Sequence, residues 1–466
     1  MKNKKTWFIS SIITIVLIIV LILVIKIVSN NIKTDEEIKL NEDINWDNDI
    51  ELIENIKSGA DKKITEDIKL NEYIKLNKEW NLSYGNQITP DMYENKNMDF
   101  TEDDGDNSFV SIDKNNESYV LVGTTGRFHD QGIIECYDFN GKIRWSKKYS
   151  NIDSKKWDVT SNFKDVLSVK DGYIVIGNEA GEGPKFSDEY QNVIILKYDL
   201  KGNLVWSKKY NTLISTEHLN NNLSYDLINI INIDEKYYIV GNLKEYKVTQ
   251  DTFEETKKYG FVVELDSKGN EISFNKYNQG SEFFSSKVID NKIVINSLVG
   301  NGLVDTEQYY TAYRKLGLLT FDGNKYSQII NYLTDEYHIF SDDYRKFEYL
   351  DGSYYLLDST RTGKILVIDK EGNEKFSMWA DEGDKLDNYW FQDITTDGKY
   401  IYIYAYYYDM SKSSKMTDSA IIIIDKEGKY SIRDIDEQYY YKIAFKDNSL
   451  LLAGSENSFA KYKINR

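Results

Sequence analysis

The stretch Val193–Tyr210, VIILKYDLKGNLVWSKKY, has the pattern of two β-strands joined by a tight turn. Its first part, Val193–Tyr198, is rich in β-branched residues, which favour strands. Asp199 and Gly202 mark the turn, because an Asp side chain can bond its own backbone and a Gly can adopt positive φ. The second part places three large side chains on one strand face: Leu204, Trp206 and Tyr210. The stretch therefore predicts a β-hairpin.

The same hairpin recurs along the chain, at intervals of about 47 to 67 residues. Its six turns begin with the aspartates Asp138, Asp199, Asp266, Asp322, Asp369 and Asp425. An aromatic residue follows the turn Asp by seven positions at Trp145, Trp206 and Phe376. A repeat of this length that is built of short strands is typical of a β-propeller.

Another predicted strand precedes each turn, and there are seven such strands for six hairpins. They are Tyr119–Gly123, Tyr173–Gly177, Tyr237–Gly241, Lys292–Asn296, Tyr354–Asp358, Tyr400–Tyr404 and Leu450–Gly454. The seventh copy lacks a fourth strand, whereas Trp80 and Tyr84 repeat the fourth-strand spacing at the other end of the chain. We therefore predict an all-β, seven-bladed propeller, in which Lys78–Tyr84 pairs with Phe459–Ile464 and protects that strand edge.

The motif Tyr198-Asp199-x-x-Gly202-x-x-x-Trp206-x-x-x-Tyr210 resembles the repeats of bacterial extracellular seven-bladed β-propeller proteins and of quinoprotein-like propellers. The resemblance implies the propeller fold over about residues 75–466. The quinoprotein turn usually contains Thr-Gly, which is missing here, and the adjacent Cys pair of many quinoprotein dehydrogenases is also missing. The resemblance therefore does not imply a quinone cofactor.

The N-terminus predicts a membrane anchor. Thr6–Ile25 is a run of 20 residues without a charge, long enough to span a bilayer, and Lys2, Lys4 and Lys5 precede it. The positive flank favours a cytoplasmic tail, so the C-terminal domain should be extracellular. A cleaved signal peptide is the alternative. The predicted organisation is a tail and transmembrane signal anchor at 1–28, an acidic stalk or linker at 29–74, and the propeller at 75–466.

Net charge and the spacing of possible metal ligands disfavour some classes of function. The net charge of −18 disfavours nucleic acid as a partner. The three histidines, His129, His218 and His338, are far apart and show no metal-ligand spacing. We expect no cofactor and no metal, although calcium at the acidic loops Glu102–Asp106 and Asp381–Asp384 stays an alternative.

Long, dissimilar loops between the second and third strands of the repeats should share one face of the propeller, where binding sites are commonly displayed. These predicted loops are Thr124–Gln131, Asn178–Gln191, Asn242–Lys258, Ser297–Thr311 and Tyr406–Asp418. Tyr406, Tyr407, Tyr408 and Trp390 lie at one such loop and are candidate ligand-binding residues, with packing between blades as the alternative role. The predicted function is a cell-surface, non-catalytic binding or scaffold module for an extracellular protein, peptide or polysaccharide. The alternative is a glycan-acting hydrolase or lyase, which would need paired carboxylates at the central pore.

Overall fold

The computed structural model describes residues 74–466 except for fifteen breaks in the chain. The breaks are 83–106, 126–130, 150–158, 182–189, 211–221, 249–252, 280, 300–314, 324, 334–343, 359–363, 379–388, 409–415, 436–437 and 456–457. The predicted anchor and most of the predicted stalk lie outside the described residues. Within the described part, no helix has the length and apolar character needed to cross a membrane.

The described residues form 28 strands in seven four-stranded antiparallel sheets, which are the blades of a propeller. Blades 1 to 3 consist of β2 (Ser108–Lys114), β3 (Tyr119–Thr125), β4 (Gln131–Tyr137), β5 (Ile143–Tyr149); β6 (Val159–Val169), β7 (Gly172–Gly181), β8 (Tyr190–Asp199), β9 (Leu204–Tyr210); β10 (Asn222–Ile233), β11 (Lys236–Val248), β12 (Phe253–Leu265), β13 (Glu271–Gln279). Blades 4 and 5 consist of β14 (Glu282–Ile289), β15 (Lys292–Val299), β16 (Lys315–Phe321), β17 (Tyr326–Leu333); β18 (Tyr344–Leu350), β19 (Ser353–Asp358), β20 (Lys364–Asp369), β21 (Glu374–Met378). Blades 6 and 7 consist of β22 (Tyr389–Thr396), β23 (Ile401–Tyr408), β24 (Met416–Ile424), β25 (Tyr430–Asp434); β26 (Tyr440–Lys446), β27 (Ser449–Gly454), β28 (Phe459–Asn465) and β1 (Lys75–Leu82).

Blade 7 closes the ring with both ends of the domain, as predicted. Strand β1 pairs antiparallel with β28, from Lys75 opposite Asn465 to Leu82 opposite Phe459. The pairing begins three residues earlier in β1 than the sequence predicted, at Lys75, and the last two residues of the predicted strand lie outside the described residues. The innermost strands of neighbouring blades contact one another around the whole ring, including β26 with β2. They enclose a central channel, so the seven-bladed architecture is confirmed.

The core is divided among the seams between blades. Seven clusters of buried apolar residues occur in the described part of the chain, one at each seam. The central strands contact a neighbour on both faces, which is why runs such as Ile421–Ile424 are apolar throughout. Burying both sheet faces fixes each blade against the next and makes the ring a stiff support for its loops.

The turn motif explains how successive blades are joined at their outer rim. Asp199 accepts hydrogen bonds from the backbone N–H groups of Lys201 and Asn203, and Gly202 has a φ of 81°. The indole of Trp145 in blade 1 covers this turn of blade 2, and a Cβ at Gly202 would lie 2.7 Å from the ring. Glycine is thus needed for both its backbone conformation and its missing side chain.

Blade 3 differs from the sequence interpretation on the long-loop face. The sequence predicts a loop at 242–258, but most of this segment extends the strand pair β11 and β12. Lys244 pairs with Lys258, and the ladder continues to Val248 opposite Phe253. The extension is rich in Lys, Glu and Thr, so it lacks the Gly and Pro signals of a loop, and pairing satisfies its backbone groups. Blade 3 therefore presents a two-stranded ribbon there.

Candidate functional site

A ring of polar side chains lines the channel at equivalent positions of the seven innermost strands. In each of these strands, the pairing register with the next strand shifts by one residue. The shift follows a buried apolar or aromatic residue in six of the strands, and it follows Tyr344 in β18. The residues directly after the shift, which we call the channel ring, are Ser111, Asp165, Asn229, Ser285, Lys346, Asp393 and Lys442. Such β-bulges re-aim side chains and often occur near functional sites.

Asp393 links blades 5, 6 and 7. Its carboxylate is almost completely buried and lies 3.1 Å from Lys346 Nζ and 3.5 Å from Lys442 Nζ. It also accepts a hydrogen bond of 2.9 Å from the backbone N–H of Ile443. Burial alone would raise the pKa of Asp393, but the two ammonium groups outweigh it and hold the pKa below its ordinary value. Asp393 is therefore a charged, fully engaged residue.

Asp165 lies in a different environment. Ser111 donates a hydrogen bond to its Oδ1, and the backbone N–H of Ile230 donates one of 2.9 Å to Oδ2. Burial raises the pKa of Asp165 to about 6, although these hydrogen bonds and the charge of Lys442 act in the opposite direction. Both carboxylate oxygens are already used to join blades 1, 2 and 3.

Further polar contacts complete the ring at the other seams. Lys287 pairs with Glu348 between blades 4 and 5, and burial raises the pKa of Glu348 despite this partner. Lys446 Nζ lies 3.1 Å from Asp113 between blades 7 and 1. Asn229 and the backbone and hydroxyl of Ser286 exchange hydrogen bonds of 3.1 and 2.6 Å between blades 3 and 4. Each seam is thus bridged near the channel, and the charges are matched.

The channel ring is not among the sites predicted from the sequence, although a signal for it is present there. An aromatic residue followed two positions later by a polar residue recurs just before the predicted strands. Phe109, Phe163, Phe283, Phe391 and Tyr440 stand in this relation to channel-ring residues. Single polar residues near apolar strands are common, so the pattern gains a meaning only when the closed ring places these residues together.

A separate polar cleft of about 360 Å³ lies between blades 2 and 3. It is at the ends of β6, β7, β10 and β11 that adjoin the long-loop face. The residues that line it include Asn162, Lys164, Asn178, Ser224, Tyr225, Asp226 and Lys244. Across it, Lys164 Nζ lies 4.0 Å from Asp226 Oδ1, at the limit of an ion pair.

The hydrogen bonding of Asn178 distinguishes this seam from the next one. At the seam of blades 3 and 4, the equivalent Asn242 donates to the carbonyl of Phe283 at 2.8 Å and accepts from its N–H at 2.7 Å. Asn178 donates to the carbonyl of Tyr225 at 3.0 Å. Its Oδ1, in a side chain only 7% exposed, accepts no hydrogen bond from the residues that the structure describes. Blades 2 and 3 are therefore less closely tied here, beside the cleft.

The structure brings together several of the aromatic residues predicted to bind a ligand. The rings of Trp390 and Tyr406 lie 5.7 Å apart, and Tyr406 contacts Tyr439 of blade 7 at 5.0 Å. Tyr406 is buried, whereas Tyr407 is half-buried against Tyr389. Tyr408 belongs to β23, but its side chain lies outside the described residues. A binding role for the four residues stays a prediction.

The three histidines and the two acidic loops lie outside the described residues. In the part of the chain that the structure describes, no cluster of three or more His, Cys, Asp or Glu side chains could hold a metal ion. Calcium binding at the acidic loops stays an alternative.

Comparison with known proteins gives a weak likeness to several solved structures. No family model and no curated protein match the chain. BamB from Moraxella catarrhalis is 13% identical with a TM-score of 0.44, covering 84% of this chain and 98% of BamB. Sqt1 from Saccharomyces cerevisiae is 8% identical with a TM-score of 0.42, covering 78% of this chain and 98% of Sqt1. The computationally designed Ika8 protein is 10% identical with a TM-score of 0.40, covering 77% of this chain and 97% of Ika8. At these identities and scores, the likeness does not extend to function.

Proposed function

We propose that this protein is a membrane-anchored, extracellular β-propeller that acts as a non-catalytic binding or scaffold module for an envelope polymer, peptide or protein partner. The observation that carries the proposal is the pairing of the channel carboxylates. Asp113, Asp165, Glu348 and Asp393 each contact a lysine, a hydroxyl or a backbone N–H of a neighbouring blade. Their contacts hold the ring together, which suits a stiff scaffold.

The glycan-acting alternative needs two carboxylates with access to substrate, one of them protonated as a general acid. Asp165 has the raised pKa that such an acid requires. However, its two oxygens already accept hydrogen bonds from Ser111 and Ile230, so neither is directed at a substrate. Asp165 therefore suits a role in joining blades better than that of a general acid.

The anchor and the extracellular location rest on the uncharged run Thr6–Ile25 and the lysines before it. Protease treatment of intact cells should release propeller fragments if the domain lies outside. Protection of the propeller until the cells are lysed would contradict this location.

Binding is tested with the full chain, purified in detergent and mixed with isolated envelope material from the host. We expect the protein to co-sediment with one envelope fraction without releasing reducing ends or unsaturated sugars. Release of either product would favour the enzyme alternative. Failure to associate with any polymer, peptide or protein fraction would refute the binding proposal.

A further inference from the structure

We propose that the extended ribbon of blade 3 is a dimerisation edge, along which a second copy of this chain adds its own β12 in antiparallel pairing. This inference concerns the oligomeric state and does not depend on the proposed binding function. Strand β13 pairs with β12 only from Tyr259, which lies opposite Gln279, to Leu265. Residues 253–258 of β12 pair with β11 on one side, and on the other side they have no strand partner among the described residues.

The uncovered edge distinguishes blade 3 from several other blades. In blades 1, 4 and 5, the fourth strand pairs to within one residue of the beginning of the third. An uncovered edge presents backbone N–H and C=O groups that a strand of another molecule can pair with. At roughly 3.3 Å per residue, residues 253–258 offer an edge of roughly 20 Å. Main-chain hydrogen bonds along this edge can therefore hold a partner strand.

The sequence of this edge is complementary to itself in antiparallel order. Glu254 and Glu255 precede Thr256, and Lys257 and Lys258 follow it. When Thr256 of one copy lies opposite Thr256 of the other, position 254 lies opposite position 258, and position 255 lies opposite position 257. Each glutamate is then opposite a lysine, and opposite charges at directly paired positions stabilise a sheet. The same patch serves both copies, as in a two-fold dimer.

The charge pattern also selects one register. A two-fold axis needs identical residues opposite each other, so the symmetric neighbours of this register place Glu255 opposite Glu255 or Lys257 opposite Lys257, and like charges there are unfavourable. Thr256 is the bulged residue of β12 against β11, so both copies have the same irregularity at the axis. The end of β13 at Gln279, opposite Tyr259, limits the pairing to positions 254–258.

The two lysines already have partners within the chain, so their charges select the register and do not drive association alone. Lys258 Nζ lies 2.5 Å from a carboxylate oxygen of Glu282. Lys257 Nζ lies 3.6 Å from Glu245, and its side chain is 47% exposed. Lys276 also lies 3.7 Å from Glu245. Lys257 can therefore be shared with a glutamate of the second copy, whereas the main-chain hydrogen bonds supply the attraction.

The small size of the contact predicts a weak dimer. Stable protein interfaces usually bury about 1,200–2,000 Å², which is more than a strand pair of five positions provides. We therefore expect a dissociation constant on the order of 10–100 µM.

The first test is the mass of the full chain, purified in detergent, by sedimentation velocity at roughly 1–200 µM. Glu255→Lys and Lys257→Glu each place like charges opposite each other, so each should weaken dimerisation about tenfold or more. In an equal mixture of these two variants, positions 255 and 257 of different copies again carry opposite charges, and dimers should return. Recovery on mixing is not expected from damaged folds.

Lys268→Glu is the matched control, because it makes the same charge change in an exposed turn of blade 3. It should leave the dimer unchanged. Equal losses for Lys268→Glu and Lys257→Glu, or a dimer that neither edge variant weakens, would overturn the inference. A chain that stays monomeric over the whole range would leave this edge to a strand of another protein and would also overturn it.

Disulfide formation tests the register. Thr256→Cys places two thiols at the axis, where directly opposite Cα atoms are about 4.5–5.5 Å apart, within reach of a disulfide. Glu254→Cys is the comparison, because its two copies would be roughly 13 Å apart along the strands and should not cross-link. The native Cys136 is buried. Absence of the Thr256→Cys cross-link, or equal cross-linking of both variants, would refute this pairing.

Discussion

Removal of strand β1 should destabilise the whole propeller, because this strand closes blade 7. Two truncated forms of the protein test it: one begins after Glu72 and keeps β1, and the other begins after Tyr84 and lacks it. Deletion exposes the partners of Ile74, which is 1% exposed, and of Leu76, Trp80 and Leu82, which are partly buried. Burial contributes about 2–3 kcal/mol for the Ile and about 1–1.5 kcal/mol for each of the other three residues. Deletion should therefore lower the free energy of unfolding by roughly 5–8 kcal/mol.

The expected shift in melting temperature follows from the size of the domain. An unfolding entropy of about 2.1 cal/mol/K per residue over roughly 390 residues gives about 0.8 kcal/mol/K. The truncated form without β1 should therefore melt about 6–10 °C lower by calorimetry or circular dichroism, or fail to fold. Trp80→Ala should cost about 2 kcal/mol, roughly half the value for a fully buried indole, because Trp80 is only partly buried against Phe459. If the two truncated forms melt within about 2 °C of each other, closure by β1 contributes little and the reasoning fails.

Three further perturbations test the contacts between blades. Gly202→Ala should cost about 2–4 kcal/mol in urea unfolding, because it combines a positive φ with a clash against Trp145. Gly398→Ala has the same positive φ but open space around it, so it should cost only about 1 kcal/mol. Equal costs would show that the Trp contact is unimportant. Asp165 has a pKa of about 6 in the folded protein against about 3.9 when unfolded, so the folded state binds more protons between these values and its stability falls as the pH rises from 4 to 6. Asp165→Asn should remove that slope and be more stable by about 1–2 kcal/mol at pH 7, and an unchanged pH profile would contradict the assignment. Asp393→Ala leaves two half-buried lysines without their shared carboxylate and should cost about 2–4 kcal/mol at pH 7. A loss below about 1 kcal/mol in urea unfolding would show that the bridge is not structural.

The sequence by itself determined the blade count and the closure of the ring. These follow from local chemistry that repeats: the turn formed by Asp199 and Gly202, the strand-face spacing of Trp206 and Tyr210, and the unpaired copy near Trp80. Hairpins join residues that are close along the chain, so their signals lie within short windows. The long runs of apolar residues also showed that central strands are covered on both faces.

Only the tertiary structure decided which side chains meet across the seams. Lys346, Asp393 and Lys442 lie in three different blades, and no short window of sequence contains more than one of them. The same holds for Lys164 and Asp226 at the cleft, which are 4.0 Å apart although 62 positions separate them in the chain. A repeat pattern gives each blade its own strands, but the contacts between blades depend on closing the ring, which brings distant positions to one axis. The fold was therefore readable from local patterns, whereas the channel ring and the cleft arise from packing around that axis.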